Sequence, residues 1–326
     1  MPTFLTSRTM SPALAGRVRA SVRGQSRGRK SGSPRRRLLV AVARVAAVIV
    51  VLAVGRSFLA FRLQKSSDLD HARAALRDTT RAHAASLSAP QRDVFARAAG
   101  WLATEAGPYP GDLVDAEMER TGMDLVAHRT VAYVRGDLGA FRSATALAEE
   151  TAANRKDALL ACLVAPPPGS DEKAVLARVR DVYLRGVPDA PKVDLLHAAA
   201  EGLPFLAPAW DAKIEAADDL RTIELLRRAF EHAPIEAAKR VARAELLLYA
   251  MDEPRRGSGP TEVDGEALHD VRVGVVDMND GHVLLRLRRP VDPANIASTA
   301  RVVYARGMDS CTLAMSVRAA TSAAKR

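Results

Sequence analysis

The run Leu38–Phe61, LLVAVARVAAVIVVLAVGRSFLAF, is 24 residues of nearly unbroken apolar character, and no other segment limits the chain so strongly. As a helix it measures about 36 Å, enough for a hydrocarbon core of about 30 Å. Two arginines interrupt it. Between Arg44 and Arg56 the apolar stretch Val45–Gly55 has 11 residues, about 16 Å of helix, and a charge at mid-bilayer costs about 2.5 to 3.5 kcal/mol. Each guanidinium nevertheless lies near its own end of the run and can snorkel to a headgroup layer. Val45–Leu52 lacks the polar positions at three- and four-residue steps that an interfacial helix needs. The pattern therefore predicts a single transmembrane helix over 38–61. Eight Lys/Arg in residues 18–37, against five in the 20 residues after Phe61, put the N-terminus inside. The expected location is a bacterial inner membrane, N-terminus cytoplasmic and body periplasmic. Residues 1–37 are acid-free and rich in Arg, Ser and Ala, which keeps a mitochondrial inner-membrane protein as the alternative.

Net charge is +10, yet residues 1–67 hold 14 basic residues and no acid, leaving 34 basic against 38 acidic in the remainder. The basic character belongs to the tail, so the body is not expected to bind nucleic acid specifically. Within the tail, Arg29, Lys30, Arg35, Arg36 and Arg37 form the candidate contact for anionic lipid headgroups. No aromatic side chain is interleaved among them to stack a base.

From Asp68 to Met251 apolar residues recur at three- and four-residue steps between Pro/Gly breaks, which predicts a succession of helices. They are placed at Asp112–Val134, Leu138–Ala153, Lys156–Val164, Asp171–Leu184, Lys192–Glu201, Ala209–His232 and Pro234–Met251, after one opened by a capping box at Ser88–Gln91. Ala132-Tyr133-x-x-Gly136-Asp137 followed by Ala148 resembles the inter-helix turn and second helix of a tetratricopeptide unit, and Ala229 with Pro234 resembles the end of another. The resemblance implies paired helices stacked into a groove that binds partner peptides.

After Arg255–Pro260 the period changes to two. Val271, Val273 and Val275 alternate with Arg272 and Gly274, and Asn279-Asp280-Gly281 supplies a hairpin turn into Val283, Leu285 and Leu287. Strands are also predicted at Arg301–Ala305 and Cys311–Val317, with Arg272, Arg286, Arg288 and Arg318 on a solvated outer face. The fold expected is mainly α: a disordered basic tail (1–37), a transmembrane helix (38–61), a helical domain (68–251) built as a multi-helix bundle or short α-solenoid, a linker (252–260), a small antiparallel β-sheet (261–319) and a disordered C-terminus (320–326).

No Walker-type phosphate loop, GxSxG elbow, HExxH or paired CxxC occurs. Seven scattered histidines include no pair at a metal-binding i, i+4 spacing. Asp124 with His128, and Asp194 with His197, are the helix-face pairs that could tune an imidazole. Cys162 and Cys311, the only cysteines, are the candidate disulfide, since a body outside the cytoplasm meets oxidising conditions. No cofactor or metal is expected. The function expected is a single-pass membrane-anchored interaction or scaffold protein whose contacts are the membrane and a protein partner. A membrane-tethered hydrolase without a short motif, or a basic-tail tether to anionic lipid or nucleic acid, is the alternative.

Overall fold

The computed structural model describes residues 34–150, 158–185, 193–254, 268–292 and 298–323. Side chains at some helix ends, residues 34–43, 58–63 and 298–303 among them, fall outside that description. The chain divides into two units, residues 1–68 and 69–326. A helix α1 (Pro34–Ala85) is followed by α2 (Ala89–Arg92), α3 (Val94–Glu105), β1 (Leu113–Val114), α4 (Ala116–Thr121), α5 (Asp124–His128) and β2 (Val131–Asp137). Then come α6 (Ala144–Glu150), α7 (Leu159–Val164), α8 (Glu172–Arg185), β3 (Val193–Leu195), α9 (His197–Gly202), α10 (Pro208–Ala216), α11 (Leu220–His232) and α12 (Ile235–Ala242). Strands β4 (Leu246–Pro254), β5 (His269–Asp277) and β6 (Val283–Val291) precede a last helix, α13 (Ser298–Ala323).

The strands form one six-stranded mixed sheet in the order β1-β6-β5-β4-β2-β3. β2 runs parallel to both β3 and β4, while β4, β5, β6 and β1 follow as antiparallel neighbours. Helices cover both faces, as the parallel part of the sheet, β4-β2-β3, requires. The period-two geometry of β4 sends Leu246, Leu248 and Ala250 into one core with α7, α8 and α13, and Leu247, Tyr249 and Met251 into the other with α3, α9 and α12. β2 splits likewise, Val131 and Tyr133 against Ala132 and Val134.

This architecture replaces the expected helical bundle or α-solenoid with a small antiparallel sheet. β2 starts within the helix expected at Asp112–Val134 and runs on to Asp137, β3 lies inside Lys192–Glu201, and β4 starts within Pro234–Met251 and runs on to Pro254. The reason is physical: a strand buried on both faces shows no alternation, and VAYVRGD or LLLYAMDEP is a short apolar run whose periodicity cannot separate strand from helix. The opposite error occurs at the C-terminus. Residues 311, 313, 315 and 317 alternate in sequence, yet α13 runs through all of Ser298–Ala323 and buries Cys311, Ala314, Val317 and Thr321 at helical steps. The residues that resemble a tetratricopeptide turn, Ala132–Asp137, are β2 itself. The hairpin of β5 and β6 forms around Gly281, at φ +83°; of the linker expected at 252–260, residues 252–254 are the end of strand β4 and Arg255–Pro260 lies outside the described residues.

The transmembrane span is corrected as well. Among the described residues no helix is long and apolar enough to cross a membrane, and between Arg44 and Arg56 the uninterrupted apolar length is about half a hydrocarbon core. Val48, Ile49, Val50, Val51, Leu52 and Val54 of α1 are 57–69% exposed.

Gly274 of β5 lies opposite Tyr249 of β4, and a Cβ at this position would overlap the tyrosine ring. Gly274→Ala is expected to destabilise the protein by about 1 to 3 kcal/mol through overpacking, read as a lowered midpoint in urea. An unchanged midpoint would show that the Tyr249 ring can move aside.

Candidate functional site

Among the described residues, three places that gather polar chemistry or concave surface stand out. The first lies where the parallel strands β2 and β4 end. Three apolar rows that point into one core each finish on a charged or polar residue: Val131-Tyr133-Arg135, Leu248-Ala250-Asp252 and, from the antiparallel neighbour, Val273-Val271-His269. The Arg135 guanidinium donates from Nε and Nη2 to the Asp252 carboxylate, at 3.1 Å to Oδ2 and 2.9 Å to Oδ1, and from Nη1 to Ser310 Oγ of α13 at 2.6 Å. His269 Nε2 stands 3.6 Å from Asp252 Oδ1. Burial works to raise the Asp252 carboxyl, but the Arg135 charge and the His269 contact outweigh it and hold the group at about 2. The side chain of Asp252 is therefore a carboxylate at any physiological pH, and a guanidinium occupies it. All four residues are at most 1% exposed, so the cluster fastens strand ends to α13 instead of meeting a substrate.

The second place is on the other face of the sheet. Glu105, the last residue of α3, accepts from Arg286 Nε at 2.6 Å and Nη2 at 2.9 Å and from the Tyr249 hydroxyl at 2.7 Å. Burial, and then the Glu105 charge, push the Tyr249 hydroxyl far above the ordinary phenol range. Arg272 donates to the carbonyls of Glu105 and Gly107 and to Glu253, and both Arg272 and Arg288 lie over the Tyr109 ring. Arg288 also pairs with Asp270, and Arg289 with Asp112. Arg272, Arg286, Arg288 and Arg289 thus each face a carboxylate. Three of the arginines expected on one solvated face, Arg272, Arg286 and Arg288, are drawn into this network, and Arg272 is buried. The fourth, Arg318, sits on α13 and donates to the Leu163 carbonyl.

The third place is an open groove of about 910 Å³ between α1, α11 and α12. Its floor is apolar: Ala72, Ala75 and Leu76 from α1, Ile223 and Phe230 from α11, and Ile235 from α12. The α1 positions that line it, residues 72, 75, 76, 79 and 83, fall on one helical face. At one end the His83 ring meets Phe230 edge-on at 5.6 Å, and its Nδ1 lies 3.4 Å from Glu236 Oε1. A Lys239 hydrogen bond keeps the Glu236 carboxyl below its ordinary range, so the end is charged at neutral pH. A concave, mostly apolar site with a few polar groups at its edge is the usual form of a binding site.

The residues singled out in the sequence separate accordingly. Cys162 of α7 and Cys311 of α13 are joined in a disulfide, Cα atoms 5.2 Å apart, and both are fully buried. Arg35, Arg36 and Arg37 begin α1 with their side chains outside the description, while Arg29 and Lys30 lie outside the described residues. Neither candidate histidine pair forms. His128 Nδ1 contacts the Asp124 backbone carbonyl, Asp194 binds Arg240, and His197 binds Glu201. Sequence reasoning missed the Arg135–Asp252–His269 cluster, although a charge ending an apolar strand row is a signal of a buried pair. The groove had no such signal, because its walls are far apart in the chain. Comparison with protein-family models, with characterised proteins and with solved structures finds no match to this chain.

Proposed function

We propose that this chain is an interaction protein whose α/β body works in an oxidising compartment and holds an apolar segment of a partner in the groove between α1, α11 and α12. The groove carries the reading, being an accessible concavity with an apolar floor, whereas the buried charge cluster at the strand ends is closed to any substrate. A disulfide across the body suits an oxidising compartment.

A photo-crosslinking residue placed at the groove-lining, exposed Thr79 is expected to give a discrete adduct in intact cells. Ala75→Trp, at another exposed lining position, fills the groove and should abolish that adduct while leaving the circular dichroism and thermal midpoint unchanged. An adduct pattern indifferent to Ala75→Trp, or no adduct at Thr79, would overturn the groove as the working surface.

A further inference from the structure

Between residues 69 and 85, α1 is tied to α10 by charge at successive turns. Arg73, Arg77 and Arg81 stand at steps of four, on one helix face. Arg73 donates from Nε to the carbonyl of Ala217, just past the end of α10, at 3.0 Å, and from Nη1 to Asp70 of its own helix. Arg77 pairs with Glu215, and Arg81 Nε donates to Asp211 at 2.9 Å. The acceptors thus run back along α10 as the arginines run forward along α1, and the carbonyl end of a helix adds partial negative charge. These contacts are open to water. Glu215 is 61% exposed and Arg81 56%, so dissolved ions screen them.

Little else holds this stretch. Leu76 is its one buried apolar side chain, with Leu69, Ala72 and Ala84 half-buried. Thr80 is buried too, but its hydroxyl donates to the Arg77 carbonyl of its own helix. Apart from His83 against Phe230, the flank towards α11 and α12 looks onto the open groove. The docked arrangement also leaves two buried donors, Arg77 Nε and Trp210 Nε1 of α10, without an acceptor among the described residues, and such a donor regains its hydrogen bond when water reaches it. At its C-terminal end the stretch meets a fixed point, where Leu87 is buried and the Ser86 carbonyl accepts from Arg243 at 3.0 Å. We infer that residues 69–85 form a strap, clasped to α10 by these three arginines, that ionic strength releases and that pivots at 86–87, whatever the groove holds. Release takes one wall from the groove and bares Leu76 together with Ile223, Phe230 and Ile235.

The test uses the purified full-length protein with its disulfide intact. Nitroxide labels on Ala82→Cys in α1 and Arg221→Cys in α11, exposed positions outside the clasp and the groove lining, report the strap through pulsed electron-resonance distances. Labels on Glu119→Cys in α4 and Arg221→Cys report the body. Raising NaCl from about 20 mM to about 1 M is expected to add a second, longer strap distance and to raise the open-to-closed ratio about ten-fold, the combined effect of screening three exposed charged contacts. The body distance should stay as it is. Arg73→Gln/Arg77→Gln/Arg81→Gln should show the longer distance already at low salt. Arg227→Gln/Arg228→Gln, which removes two arginines bonded to Glu224 within α11, should respond to salt as the wild type does. A strap distance unchanged between the two salts, or a triple variant that matches the wild type at low salt, would make the contact a fixed part of the fold and overturn the inference. A body distance that changes along with the strap would show general unfolding and overturn it equally.

Discussion

Arg135→Met is expected to lower the unfolding free energy by about 3 to 5 kcal/mol, because it leaves a carboxylate buried without its main counter-charge. Asp252, which accepts from Arg135 through both oxygens, would retain only His269 at 3.6 Å, and its carboxyl would rise from about 2. The double substitution Arg135→Met/Asp252→Leu should recover most of the loss, since no uncompensated charge remains. Urea titration of the three proteins measures this, and a single variant as stable as the wild type would remove the buried pair from the account of the fold. The same group fixes an acid limit. Its folded pKa of about 2 lies below the unfolded value of about 3.9, so in this interval the unfolded chain binds more protons. The stabilisation is complete above about pH 4 and is lost as pH falls towards 2, amounting to about 2 to 3 kcal/mol. In Asp252→Asn that part of the acid dependence should vanish, and an unaltered profile would assign the acid unfolding to other carboxylates.

Removing the disulfide should cost about as much. Cys162 and Cys311 are 149 residues apart, and in the chain-entropy model a loop of that length stabilises the folded state by about 5 kcal/mol. The bridge ties α7 to α13 one residue away from Ser310, the hydroxyl that accepts from Arg135. Loss of the bridge and loss of Arg135 therefore act on one region, and their effects should not add. Cys162→Ala/Cys311→Ala, compared with the oxidised wild type in urea, is expected to show the fall in stability. Thiol counting on unfolded, unreduced protein taken from cells should find none. Two free thiols there would dismiss both the bridge and the oxidising compartment.

Individual local features were legible where local chemistry is self-sufficient. The capping box at Ser88–Gln91 forms as read, with Ser88 capping and Gln91 returning the bond. The β5–β6 hairpin also stands where period-two alternation and Asn279-Asp280-Gly281 put it, because a turn with a positive φ at glycine and one alternating row are properties of a dozen consecutive residues. Cys162 and Cys311 were a candidate pair as the only two cysteines, and the fold joins them. The sheet was not legible. β2 pairs with β4 across more than a hundred residues, Val131 opposite Leu246 and Asp137 opposite Asp252, and nothing within either run reports the other.

The sequence by itself determined the charge asymmetry of the tail, the apolar run of α1 and the hairpin, all features carried by neighbouring residues, and it offered Cys162 and Cys311 as a candidate pair that only the fold closes. Only the tertiary structure decided that β2, β3 and β4 are strands, that α13 is a helix, that Arg135 meets Asp252 and His269, and that α1, α11 and α12 enclose a groove. Each of these depends on burial on two sides by elements remote in the chain. A run buried on both faces has lost the alternation that would identify it, and a groove exists only after its three walls have packed.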